Sequence, residues 1–163
     1  MTLLARLALV TLLPFMSHYH EAHVRLWRVQ HWVVEVDTHR FTGDKSCWLV
    51  RGQVSYRRQA LVFHFPVRLE TTNAIYRVDA GEPRAARSDL VDLAKLGFEL
   101  YAPSLDNPSG GLVRIPTMRL QGANSVWIQS QPGKYPVEFN IAGFSAALDA
   151  ARAAGCTEAS FNG

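Results

Sequence analysis

Val24-Arg-Leu-Trp-Arg-Val-Gln-His-Trp-Val-Val-Glu-Val-Asp37 is the stretch on which the fold class turns. Trp32, Val34 and Val36 fall on one face of it, and His31, Val33 and Glu35 on the other. A period of two belongs to a strand with one side against a core, because successive side chains of extended backbone point to opposite faces. The stretch reads as a single strand, closed by a turn at Thr42-Gly43-Asp44-Lys45.

Downstream, Cys47 to Val54 and Leu61 to Leu69 read as the arms of a hairpin joined by the polar Ser55-Tyr-Arg-Arg-Gln59. Pro66 has no N–H for a sheet ladder, so the second arm ends, bulges or lies at an edge there. Asn73 to Val78 is a further short strand, closed by Asp79-Ala-Gly81 and Pro83. Ser88 to Gly97 carries the signals of a short helix: a serine N-cap, an early acid, a late lysine and a terminal glycine. Phe98 to Ala102 is extended again, and Pro103 to Gly111 is the strongest loop signal in the chain. Strands are expected at Leu112 to Ile115, Asn124 to Gln129 and Val137 to Ile141. Phe144 to Ala154 is an alanine-rich helix with Gly155 as its C-cap. The expected fold is mainly β (α+β), an antiparallel β-sandwich or bent sheet, with a short middle helix and a C-terminal helix packed on it.

Upstream, Met1 to Arg6 supplies a basic start and Leu7 to Met16 an apolar core of signal-peptide length, too short for a membrane span. Residues 1–22 read as a signal peptide and 23–163 as a single β-rich domain, with a cut after Ala22 and no stable membrane span in the mature chain. A buried N-terminal helix, or a start codon chosen too far upstream, are the competing readings. Cys47 and Cys156 are the only cysteines, and in an exported chain they are expected to form a disulfide. The expected location is periplasmic or secreted.

At 163 residues, 48% hydrophobic and 19% charged, the chain has the make-up of a folded domain rather than a disordered one. The net charge of +3 comes from scattered arginines, the densest cluster being Tyr56-Arg57-Arg58. Without a basic patch or motif, nucleic acid is not expected as a partner.

His18, His20, His23, His31 and His39 crowd the N-terminal part, but they lack the zincin spacing, and the first two would leave with a signal peptide. A cut after Ala22 would expose His23 as an N-terminal copper chelator, with His31, His39 or His64 as partner. This variant depends wholly on the cut, and no metal or other cofactor is expected. No Gly-x-Ser-x-Gly elbow occurs, His64 sits among apolar neighbours, and Asp37, Glu70, Asp79, Glu99 and Glu138 are dispersed singly, so no catalytic residue is named. Of the four tryptophans, Trp32 belongs to the core, Trp48 covers one side of its strand, and Trp27 and Trp127 are candidates for contacting a ligand or partner.

The Trp32 strand followed by the Cys47 strand, together with the ending Phe139-Asn-Ile-Ala-Gly-Phe144-Ser-Ala-Ala-Leu148, resembles the invasion-associated locus B family of bacterial periplasmic proteins. That resemblance implies a small, β-rich, non-enzymatic exported protein linked to host-cell entry or envelope function. The expected role is an exported, non-catalytic envelope-accessory or binding protein whose partner is an envelope or secreted protein, or a small ligand. A small secreted hydrolase or metal-dependent enzyme with a site assembled from dispersed residues is the alternative. An inhibitor of a secreted enzyme, presenting the Pro103 to Gly111 loop, is a third reading.

Overall fold

The computed structural model describes residues 23–65, 69, 71–98 and 111–161. Two antiparallel sheets share one core, and the mainly β, α+β expectation holds. The large sheet is built from β1 (Val24–Val29), β2 (Trp32–Thr38), β3 (Lys45–Arg51), β4 (Val54–Arg57), β5 (Ala60–His64) and β8 (Leu112–Pro116), in that spatial order. The small sheet has the order β10 (Val137–Asn140), β9 (Ser125–Gln129), β6 (Ile75–Val78) and β7 (Arg84–Ala85).

Two expected elements prove to be more finely divided. The opening stretch is a hairpin, not one strand: it turns at Gln30 and His31, with Val29 opposite Trp32. Gln30 takes a left-handed φ of 53° there, a conformation usually left to glycine or asparagine, so the turn carries none of the residues that announce one. Likewise Cys47 to Val54 runs through the end of β3 and a turn at Gly52-Gln53, and Ser55 to Arg57 belongs to β4. The next reversal falls at Arg58 and Gln59, both at positive φ (46° and 59°). Val54 and Tyr56 are buried while Ser55 and Arg57 face outward, so the polar outward residues masked a strand as a connection.

The middle helix, α1 (Leu90–Lys95), is entered through a 3-10 turn at Ala86–Asp89. Its N-cap is Asp89 without a side-chain cap bond, and the Ser88 hydroxyl donates instead to the Ala85 carbonyl at 2.7 Å. Strands β8, β9 and β10 lie where the pattern placed them. Phe98 is buried, but residues 99–102, the bulk of the 103–111 loop, residues 66–68 and the expected signal segment 1–22 lie outside the described residues.

The inner face of the large sheet is covered by two different partners. Over β5 and β8 lies the small sheet, where the Phe139 ring meets Phe63 at 5.1 Å and Phe65 at 5.6 Å, edge-on in both cases. Over β1 to β3 lies α2 (Phe144–Ala153), which buries Phe144, Ala147, Leu148 and Ala151. That face follows from i, i+3, i+4, i+7 spacing in a run of good helix formers. Gly155 then takes a φ of 90°, which ends the helix and turns Cys156 back toward the sheet. Cys156 is bonded to Cys47 on the inner face of β3, so the expected disulfide is present and clamps the end of α2 to the large sheet.

Candidate functional site: a hollow on the outer face of the large sheet

The face of the large sheet turned away from the core carries a register row that crosses all six strands: Arg28, Val33, Val50, Ser55, Val62 and Arg114 are successive cross-strand partners. At about 4.8 Å per strand the row is roughly 24 Å long, apolar in the middle and cationic at both ends. Beside it, β3 and β4 part company. They pair only at Val50 with Ser55 and Arg51 with Val54, so Trp48 and Arg57 stand on either side of a split in the sheet.

The split opens into a hollow of about 170 Å³. Trp48, Ser55, Arg57, Val62, His64 and Arg114 line it from the outer face. Tyr56, Leu49, Cys47 and Phe161 reach it from the core side. The core side is completed from the far end of the sequence. A 3-10 turn at Glu158–Phe161 packs against both β3 and β4, with the Phe161 ring edge-on to Tyr56 at 4.8 Å. Tyr56 donates its hydroxyl to Glu158 at 2.5 Å, and Glu158 accepts a second bond from Arg152 at 2.8 Å. Burial and then that carboxylate push the Tyr56 hydroxyl well above its ordinary range.

Within the hollow, Ser55 Oγ and His64 Nε2 are 3.0 Å apart. Partial desolvation and then the nearby Arg114 charge hold the His64 imidazole below its usual pKa, which favours the neutral ring. A hydroxyl beside a neutral imidazole is two-thirds of a nucleophilic triad. The third part has no counterpart among the described residues, where the His64 ring has no carboxylate partner. The chemistry on offer is hydrogen bonding and charge.

Arg57 and Trp48 supply the rest. Trp48 is 37% exposed, a large aromatic surface at the rim. The Nε of Arg57 is enclosed and has no hydrogen-bond acceptor, the single such side-chain atom among the described residues. Arg114 and Arg58 lie over the faces of the Phe98 ring region, 5.4 and 5.9 Å from its centroid, and fix the β8 side.

The residues singled out from the sequence lie elsewhere. Trp27 is half-buried on β1 and packs against the main core. Trp127 is half-buried on the outer face of the small sheet, opposite Glu138, with the Arg77 guanidinium 5.8 Å above its ring. Asp79 accepts the Ser125 N–H at 2.8 Å and so caps the entry to β9. Among the described residues no group of three or more His, Cys, Asp or Glu side chains converges as metal ligands would. No helix among them is long and apolar enough to cross a membrane. Sequence reasoning missed the hollow because its parts come from β3, β4, β5, β8 and the closing turn; the alternation of Val54 and Tyr56 with Ser55 and Arg57 was the one available signal. Compared with protein-family models, with curated proteins and with solved structures, the chain finds no match in any of the three.

Proposed function

We propose that this chain is an exported, non-catalytic binding or envelope-accessory protein whose ligand surface is the outer-face hollow at the β3–β4 split. The carrying observation is a Ser55–His64 pair set between a half-exposed tryptophan and an unsatisfied arginine, with no carboxylate to orient the imidazole among the described residues. Such a site can recognise a ligand without turning it over. The internal disulfide accords with an oxidising compartment, periplasmic or secreted, and the sequence ending accords with a place near the invasion-associated locus B proteins.

Shift mapping by NMR on the purified protein, with the low-mass fraction of a bacterial envelope extract, tests this reading. Perturbations are expected to gather on the outward residues of β3, β4, β5 and β8. Perturbations confined to another face would overturn it. So would hydrolysis of an ester or amide panel that disappears in Ser55→Ala, which would make the pair a catalytic centre.

A further inference from the structure

Resting on the reading of the hollow as a ligand site, we infer that its ligand is a small organic acid: one carboxylate, seated on Arg57, on a one-ring or short-chain apolar body lying against Trp48 and Val62. Arg57 differs from the protein's other well-placed arginines. Arg84 and Arg119 are ion-paired to Asp89 at 3.1 and 3.3 Å, Arg152 to Glu158 at 2.8 Å, and Arg51 donates to the Ala142 carbonyl at 2.7 Å. Arg57 has no carboxylate partner among the described residues, and its enclosed Nε has no acceptor. The enclosed Nε is out of a ligand's reach, but a guanidinium is always charged and its paired terminal N–H donors match the two oxygens of one carboxylate, so a carboxylate in the hollow would meet Arg57 end-on and supply the counter-charge it lacks.

The surroundings select for the same class. Arg114, on β8, brings a guanidinium to the hollow, and the Ser55 hydroxyl and His64 ring add neutral hydrogen-bonding groups, with no carboxylate among the described residues that line it. The nearest carboxylate in the register is Glu35, which lies opposite Trp48 and therefore on the far side of it from Arg57. Val62, 5% exposed, and Trp48 offer an apolar wall to the ligand's body. The volume of about 170 Å³ is below the roughly 300 to 1,000 Å³ of sites for drug-sized ligands, which limits that body to about one ring.

Benzoate, benzamide and inorganic phosphate, each titrated by NMR into the purified full chain, separate the possibilities. Benzoate is expected to shift residues of β3, β4 and β8 around Arg57, and to bind there at least about tenfold more tightly than benzamide, the loss typical of a charge-assisted hydrogen bond. Arg57→Gln should abolish that preference. Arg57→Lys, which keeps the charge without the planar fork, should retain part of it and covers the case in which the glutamine variant does not fold. Equal binding of benzoate and benzamide at these residues overturns the acid assignment and leaves the hollow as a ligand site. Phosphate binding there as tightly as benzoate does the same, in favour of a bare anion. Probes that shift only residues outside the hollow, with the envelope extract doing likewise, overturn the ligand site itself.

Discussion

Replacing both Cys47 and Cys156 by alanine removes the link between β3 and the end of α2 while leaving two small buried side chains, since the cysteines are only 2% and 5% exposed. The bond joins residues 109 apart. In the chain-entropy account a closed loop of that length lowers the entropy of the unfolded chain by an amount worth about 5 kcal/mol at room temperature, and measured disulfides commonly deliver 2 to 4. A loss of about 3 to 5 kcal/mol is therefore expected. With a urea dependence of about 1.5 to 2 kcal/mol per molar for a domain of this size, the midpoint falls by about 2 M. Thermal unfolding should fall by about 10 °C. Urea melts followed by tryptophan fluorescence read this directly, because the Trp32 ring meets Phe144 of the clamped helix at 5.3 Å, tilted against it, and its environment reports whether α2 stays docked. The slope should also rise slightly in the double variant, as an unlinked chain exposes more surface on unfolding. A midpoint shift below about 0.5 M would refute the idea that the clamp acts through the unfolded chain.

Asp89 is fully buried and accepts bonds from Tyr76, Arg84 and Arg119 at 2.6, 3.1 and 3.3 Å, so Asp89→Asn faces two guanidinium groups with half an amide and should cost about 3 kcal/mol in urea melts; a loss below about 1 would show the network to be dispensable. His64 has a folded pKa below its ordinary 6.5, so the unfolded chain takes up a proton first as pH falls. Stability should accordingly decline from neutral pH downward through 6.5 until the folded pKa is passed, and His64→Gln should flatten that decline; an identical slope in the variant counts against the desolvated imidazole. Tyr56 and Tyr76 are pushed above their ordinary pKa by burial and by hydrogen bonds to Glu158 and Asp89. Changing either to phenylalanine should leave the phenolate absorbance rise between about pH 9 and 11 undiminished, and a reduced amplitude would contradict their burial.

The β-rich class and the terminal helix were legible because they rest on local signals. Trp32, Val34 and Val36 alternate, the stretch from Phe144 favours helix at each position, and Gly155 supplies the left-handed exit. The missed turns at Gln30-His31 and Arg58-Gln59 were harder, since residues with side chains occupy backbone positions that glycine usually marks. A subtler sign was present in the first. Trp27 and Val29 are odd-numbered and Trp32, Val34 and Val36 even-numbered, yet all face the core, and a change of parity in the apolar set is what a two-residue reversal produces. For the hollow the alternation of Val54 and Tyr56 with Ser55 and Arg57 marks a strand but not the split beside it. The hollow depends on where β3 and β4 separate, and Phe161, more than a hundred residues after Tyr56, lies under that separation. No local pattern in Trp48, Ser55 or Arg57 encodes a contact of that range.

The lateness of the closing elements bears on when this protein can become native. Half of the large sheet's inner face stays open until α2 and the Glu158–Phe161 turn arrive, and these follow every strand among the described residues. Contacts of such sequence separation are slow to form, because the intervening chain must be ordered before they contribute. A nascent chain that has emitted β1 to β5 still exposes Trp32, Val36 and Leu49. It is consequently an unfinished domain with apolar surface still open to water. Helix, turn and the Cys156 half of the covalent link all lie from Phe144 onward, and the inner face is closed only when they are present.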